Sequence, residues 1–183
     1  MKKVLYLFGE LNDDDLDWIV TQGAIERIPA ASVLIREGEP SSFLYIIFEG
    51  SVIVSVNVLG SSKEVASLGS GEVLGEMSFI DGYPPSATIE TLEDSVVLSL
   101  SRLALTERLH QDIGFASRFY RAIALFLSSR LRVTLTELNL GQESVSPDLE
   151  LSPVLLEEIS LAQARFDWLL RRAKNAIHAS QSS

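Results

Sequence analysis

Between Ile28 and Leu100 the sequence breaks into short runs rich in valine, isoleucine and leucine, closed by glycine, serine or proline: SVLIREGEPSS, FLYIIFEGSVIVSVNVLGSS, KEVASLGSGEVLGEM and SATIETLEDSVVLSLS. Runs this short and this closely spaced suit antiparallel strands joined by tight turns. They predict an all-β barrel or sandwich rather than βαβ units. Gly38, Gly50, Gly60, Gly69, Gly71, Gly75 and Gly82 fall between or beside the runs, where turns make use of positive φ.

Helical patterns frame this region. Asn12 is placed to N-cap a short helix whose first turn, Asp13 to Asp15, sets carboxylates at the positive end of the helix dipole. Leu16, Ile19 and Val20 face inward and Gly23 ends it. Three successive carboxylates on a helix point in different directions, which favours capping over a shared cation. After Ser101 a helical pattern runs from about Leu103 to Leu138, with a break near Asp112 to Gly114. Phe119, Ile123, Phe126, Arg130 and Val133 recur along it at spacings of four and three. A second stripe, Ala124, Leu127, Leu131, Leu135 and Leu138, lies beside the first. Together they are wider than packing on one neighbour requires, so this helix is expected to meet both the β-domain and a second copy of the chain.

NLGQESVSPDLELSP then reads as a linker. Ser152 and Pro153 open a last helix with Leu155, Ile159, Ala162, Phe166, Leu169, Ala173 and Ala176 on one face. That face must be buried, either on its own domain or twin subunit or on a different protein or a membrane surface. The organisation is a unit over 1–138, a linker over 139–152 and a C-terminal amphipathic helix over 153–180.

Composition narrows the chemistry. A net charge of −10 over 183 residues and a pI near 4.6 oppose long-range attraction to a nucleic-acid backbone. The absence of cysteine excludes disulfides, thiolate metal sites and cysteine nucleophiles. His110 and His178 lie in helical segments without a nucleophile near them in sequence, and GSGEVLGE is neither a dinucleotide fingerprint nor a P-loop. The expectation is therefore a protein that is not an enzyme. The apolar run Val4 to Phe8 is shorter than a signal-peptide h-region, and no stretch approaches the roughly 18 apolar residues of a membrane span. A cytoplasmic protein with no integral membrane span is expected.

The stretch GEMSFIDGYPPSATI, Gly75 to Ile89, is the candidate site. A glycine-bounded turn leading into a short helix presents unpaired backbone N–H groups that attract an anion. Gly75 permits close approach of the main chain, and Ser86 with the N–H of Ala87 are candidate donors to phosphate oxygens. Glu76 stands where a carboxylate either caps N–H groups or accepts from a ribose hydroxyl.

A β-rich domain followed by G-E-x-x-F-I-D-G-x-P and a long helix resembles the cyclic nucleotide-binding domain family, as in the catabolite activator regulators and kinase regulatory subunits. The matching features begin at Gly38-Glu39, continue through FLYIIFEGSVIVS and GSGEVLGEM, and end in the helix near Leu138. The resemblance implies a mainly β fold with α: a double-stranded β-helix, a jelly-roll or cupin-like β-roll of about eight strands. Flanking helices and a long dimerisation helix from about Phe115 to Leu138 complete it. It also implies a regulatory or signalling homodimer with a cyclic nucleotide as candidate ligand, no other cofactor and no metal. The ligand-binding set it implies is Gly75, Glu76, Met77, Ser86, Ala87, Arg130 and Thr134. Phosphate then meets the N–H groups around Ser86 and Ala87, the ribose 2′-hydroxyl meets Glu76, and the base lies toward Thr134.

One position departs from the family pattern. The arginine whose planar fork pairs with the cyclic phosphate directly precedes the residue aligned with Ser86, and here that position is Pro85, which offers neither charge nor backbone donor. Losing such a group from a desolvated site costs about 2–5 kcal/mol, or roughly 30- to several-thousand-fold in affinity. Arg130 and Thr134, four apart on one helical face, lie in SRLRVT, which is similar to the segment where bacterial members contact the nucleotide. Arg130 is thus a candidate substitute cation; alternatively it pairs with Glu76 in an empty pocket and supports the dimer seam. Leu135 stands where those members often carry a polar residue reaching the opposite subunit's ligand.

Two readings follow. One is a sensor with a degenerate phosphate-binding cassette, taking a cyclic or non-standard nucleotide. The other is a ligand-independent dimeric scaffold that docks a partner protein through the C-terminal helix. A DNA-binding regulator ranks below both: the family's winged helix-turn-helix needs more than the linker and single helix read after Leu138, and no basic recognition helix is visible there. Arg171, Arg172 and Lys174 are explained as cations at a helix C-terminus. No DNA partner is expected.

Overall fold

The computed structural model describes residues 3–139 and 160–172. Its elements run α1 (Lys3–Glu10), α2 (Asp13–Gln22), β1 (Ala24–Ile28), β2 (Val33–Ile35), β3 (Phe43–Glu49), β4 (Ser51–Val58), β5 (Ser61–Gly69), β6 (Val73–Leu74), α3 (Glu76–Asp81), β7 (Thr88–Thr91), β8 (Ser95–Ser101), α4 (Arg102–Gln111) and α5 (Ile113–Asn139). A further helical segment over 160–172, here α6, follows. The strands form two four-stranded sheets, ordered β1-β8-β3-β6 and β2-β7-β4-β5, and every pairing is antiparallel. This is the expected β-roll with flanking helices.

The centre of the first sheet, β3 and β8, is buried on both faces, which is why FLYIIFE reads as a nearly unbroken apolar run instead of an alternating one. Leu44, Ile46 and Phe48 of β3, with Val96, Leu98 and Leu100 of β8, enter the main core beneath the helices. Between them on β3, Ile47 turns to the opposite face, where it packs with Ile35, Val52, Leu74 and Ile89 inside the roll. This period of two follows from strand geometry. The main core is far larger than the inner cluster, and beside the inner cluster the roll interior is left partly unfilled.

Both helical forecasts near the roll's edges hold. Asn12 caps α2 in a reciprocal box: its side chain accepts from the Asp15 N–H at 2.9 Å, and the Asp15 carboxylate accepts from the Asn12 N–H at 3.0 Å. The three carboxylates do diverge. Asp15, 1% exposed, takes a bidentate pair from Arg118 of α5 at 2.6 and 2.9 Å, whereas Asp13 is paired with Arg165 of α6. Asn12→Ala is expected to lower stability by about 1 kcal/mol, visible as a lower urea midpoint at unchanged m-value. The long helical pattern breaks at Asp112, whose carboxylate accepts from the Phe115 N–H at 2.9 Å and so starts α5 anew.

On α5 the first apolar stripe is buried at Phe119, Ile123 and Phe126, while Leu127 is half-buried and Ala124 and Leu131 stay exposed. Helix α1 was not foreseen. A five-residue apolar run carries no readable period, and here it is covered on all sides, with Val4, Leu5, Tyr6, Leu7 and Phe8 all buried. Helix α6 lies on the same core. Ala162, Phe166 and Leu169 are buried, and the Phe166 ring centroid lies 5.9 Å from that of Phe48 and 6.3 Å from that of Phe8. The described part of the C-terminal helix's apolar face is thus covered by the chain's own fold. Of the stripe expected there, Leu155, Ile159, Ala173 and Ala176 lie outside the described residues, as does nearly all of the linker. Among the described residues no helix is long and apolar enough to cross a membrane.

Candidate functional site

The site is assembled where the two-residue strand β6 leaves the first sheet. Tyr45 and Ile46 of β3 pair with Leu74 and Val73, and the chain then turns sharply at Gly75, whose φ is 86°. A Cβ there would stand 3.2 Å from the Phe43 carbonyl oxygen and 3.3 Å from Ile35 Cδ1. Glycine is therefore demanded twice, by left-handed backbone and by close packing on β3. Helix α3 starts at Glu76 and ends at Gly82, which is also left-handed at φ 72°. Arg102 holds α3 from below: its guanidinium donates to the Ser78 carbonyl at 2.7 Å and the Ser78 hydroxyl at 3.2 Å, and it lies over the Phe79 ring.

From Gly82 the chain runs through Tyr83, Pro84, Pro85, Ser86 and Ala87 into β7. The Gly38–Glu39 turn braces this return. The Gly38 N–H donates to the Pro85 carbonyl at 2.8 Å, and the Glu37 N–H to Thr88 Oγ1 at 3.1 Å. Neither Ser86 nor Ala87 spends its backbone N–H on a partner among the described residues. Two free donors, held in place by strand and turn, are what an anion needs.

The unfilled part of the roll interior is a cavity of about 300 Å³ lined by Gly75, Glu76, Met77, Ser86 and Ala87, together with Pro85, Asp81, Tyr83 and Lys3. Its apolar floor is Ile35, Val54, Leu68, Leu74 and Ile89. That volume is at the lower end of the range for small-molecule sites, about 300–1,000 Å³. Five of the seven residues singled out from the sequence therefore share one wall. Arg130 and Thr134 fall on the α5 backbone, and their side chains lie outside the described residues.

Sequence reasoning missed Lys3. Its ammonium donates to Glu76 Oε1 at 3.3 Å and to the Val73 carbonyl at 3.2 Å, stands 3.5 Å from Glu72 Oε2, and lies 4.7 Å from the Phe126 ring centroid. Glu76 is 4% exposed, so the carboxylate at the head of α3 meets a cation in the cavity wall. Burial pushes the Glu72 carboxyl up; Lys3 beside it pulls it back, and the Glu76 charge adds to the rise. No motif marks a residue 73 positions away from its partner; the only signal is a lysine at the edge of a run too apolar to be a surface helix.

Comparison with known proteins agrees with this architecture. The model of the cyclic nucleotide-binding domain matches residues 25–112. The cyclic AMP receptor protein of Thermus thermophilus is 30% identical over 155 residues, covering 77% of this chain and 72% of that protein. The cAMP-dependent protein kinase regulatory subunit of Blastocladiella emersonii is 27% identical over 118 residues, 64% of this chain, and the chain spans 29% of its length. Among solved structures, a cyclic nucleotide-binding domain from Methylobacillus flagellatus superposes with a TM-score of 0.66 at 22% identity, over 78% of this chain and 84% of that one. That last likeness is one of fold.

Proposed function

The chain belongs to the cyclic nucleotide-binding domain family, and from that membership we propose that it is a non-enzymatic regulatory module whose cavity takes a cyclic nucleotide weakly, through a cassette without its arginine. The observation that carries this reading is the common wall formed by Gly75, Glu76, Met77, Ser86 and Ala87 around the 300 Å³ cavity, with the N–H groups of Ser86 and Ala87 left for an anion. Phosphate meets those N–H groups, the ribose hydroxyl donates to Glu76, and the base lies toward Thr134. Pro85 in place of arginine removes about 2–5 kcal/mol of charge-assisted binding. Micromolar affinity for a cyclic nucleotide becomes roughly millimolar.

The working unit is residues 1–138, carrying the helix of 153–180 behind the linker of 139–152. Two copies meet along α5, where Ala124 and Leu131 present apolar surface to solvent. Isothermal titration with cyclic AMP, cyclic GMP and cyclic dinucleotides tests the reading. Heat of binding in the millimolar range for at least one of them is expected. Silence for all at high concentration would sink it and favour a ligand-independent scaffold, a reading motivated by Pro85 and by the Lys3 contact on Glu76. As a scaffold the protein would have to engage its partner with α6 released, or through a surface other than the α6 face already buried in its own core.

A further inference from the structure

Helix α1 is held at both ends by groups that belong to different parts of the molecule. At its start, Lys3 places its ammonium among Glu76, Glu72 and the Val73 carbonyl in the cavity wall, and the Val4 N–H donates to the Gly71 carbonyl at 2.9 Å. At its far end, Arg165 of α6 donates to the carbonyls of Phe8 and Leu11 at 2.7 and 2.8 Å and pairs with Asp13. Eight helical residues span about 12 Å. A single short helix therefore runs from the wall of the candidate site to the docked C-terminal helix, with the Phe8 and Phe166 rings packed where it arrives.

An ammonium has three N–H donors; Lys3 gives one to the Val73 carbonyl and one to Glu76, and stands 3.5 Å from the Glu72 carboxylate. Its side chain is only 10% exposed and lies against the Phe126 ring, and its backbone is the first turn of α1. Whatever fixes or displaces Lys3 also acts on α1. The backbone carbonyls that Arg165 caps belong to the end of that helix and the turn after it, so a shift of α1 along its axis breaks contacts of α6.

We propose that Lys3 is a positioning residue of the site: it sets Glu76 in the cavity wall and, through α1, couples ligand binding to the docking of α6 on the core. The proposal rests on the reading of the cavity as a ligand site. A ligand hydroxyl donating to Glu76 draws on the charge of the carboxylate that Lys3 also contacts, so occupancy weakens the Lys3 contact at the start of α1 and with it the Arg165 cap. Coupling of this kind is reciprocal. Loss of α6 docking must change ligand affinity by the factor by which ligand changes docking, about 5- to 150-fold for coupled sites in general.

Two measurements test it. The first needs no ligand: hydrogen exchange is followed in the wild type, Lys3→Met and Lys3→Arg. Lys3→Met keeps the apolar stem over Phe126 and removes the ammonium. Amides in 160–172 are expected to exchange about 5-fold faster or more in Lys3→Met, with protection restored in Lys3→Arg. Acceleration confined to residues 3–10 and 72–76 overturns the coupling. Should Lys3→Met fail to fold because Glu72 and Glu76 lose the Lys3 ammonium, the double variant Lys3→Met/Glu76→Gln removes one of the two charges and is read in the same way. The second titrates cyclic AMP into the wild type and Arg165→Met. A shift in affinity of about 5-fold or more supports the proposal, and equal affinities overturn it. If cyclic AMP does not bind the wild type, the reading of the ligand fails, while the exchange experiment still decides whether Lys3 and α6 are linked.

Discussion

Replacing Pro85 with arginine is expected to raise affinity for cyclic AMP by roughly 30- to several-thousand-fold, the equivalent of about 2–5 kcal/mol. The frame around position 85 survives the change. The contact that Pro85 makes with the Gly38 N–H runs through its carbonyl, which any residue supplies, and relaxing φ at one position costs no more than about 1 kcal/mol. The new guanidinium enters a wall next to Ser86 and Ala87, where a planar fork and two backbone donors converge on one anion. Glu76 and Asp81 line the same cavity and compete for the arginine in the absence of ligand, which sets the gain toward the lower part of the range. Titration of the two proteins side by side checks it. An arginine variant no tighter than the wild type would show that the cassette no longer holds phosphate geometry.

Phe166→Ala is expected to have the largest effect on the fold. The ring is 1% exposed and sits between Phe8 and Phe48, and truncating a buried phenylalanine costs about 3–5 kcal/mol. Helix α6 contributes no strand to either sheet, so its undocking is expected to leave the roll folded. The loss in global stability is therefore capped at whatever docking contributes, and the remainder appears as local opening. Limited trypsin digestion reads this directly: cleavage at Arg165, Arg171 and Arg172 becomes fast while the roll persists. Unchanged protection of those arginines would show that α6 is held by its polar ties alone, chiefly Arg165 on the Phe8 and Leu11 carbonyls.

Much of the fold was legible because its signals are local. Short apolar runs punctuated by glycine can only be strands in tight antiparallel order, Asn12 and Asp15 form a box within four residues, and Asp112 breaks one helical pattern into two. The cassette was legible for the same reason: Gly75 through Ala87 is one continuous stretch, and the structure folds it around one cavity. Lys3 escaped because its partner lies in another element and no spacing rule reaches across 73 positions. Helix α1 escaped because a run that is apolar on every side has no period, and only the surrounding sheet and helices show that it is enclosed.

The covering of the C-terminal helix marks the same boundary. Its stripe of Ala162, Phe166 and Leu169 determined that a face had to be buried, since an amphipathic helix leaves that area exposed only at a cost. It did not determine on what. The occupant depends on Phe8 and Phe48 meeting in space and on two backbone carbonyls lying within reach of Arg165, relations that exist only once the chain has folded. In the site the division is alike. The sequence by itself determined that a proline, with neither charge nor backbone donor, directly precedes Ser86 and Ala87 in the candidate cassette, because these residues are adjacent. The tertiary structure alone decided that a lysine from the first helix stands on Glu76, because hydrophobic burial of α1 carries that charge to a carboxylate the chain order keeps far away.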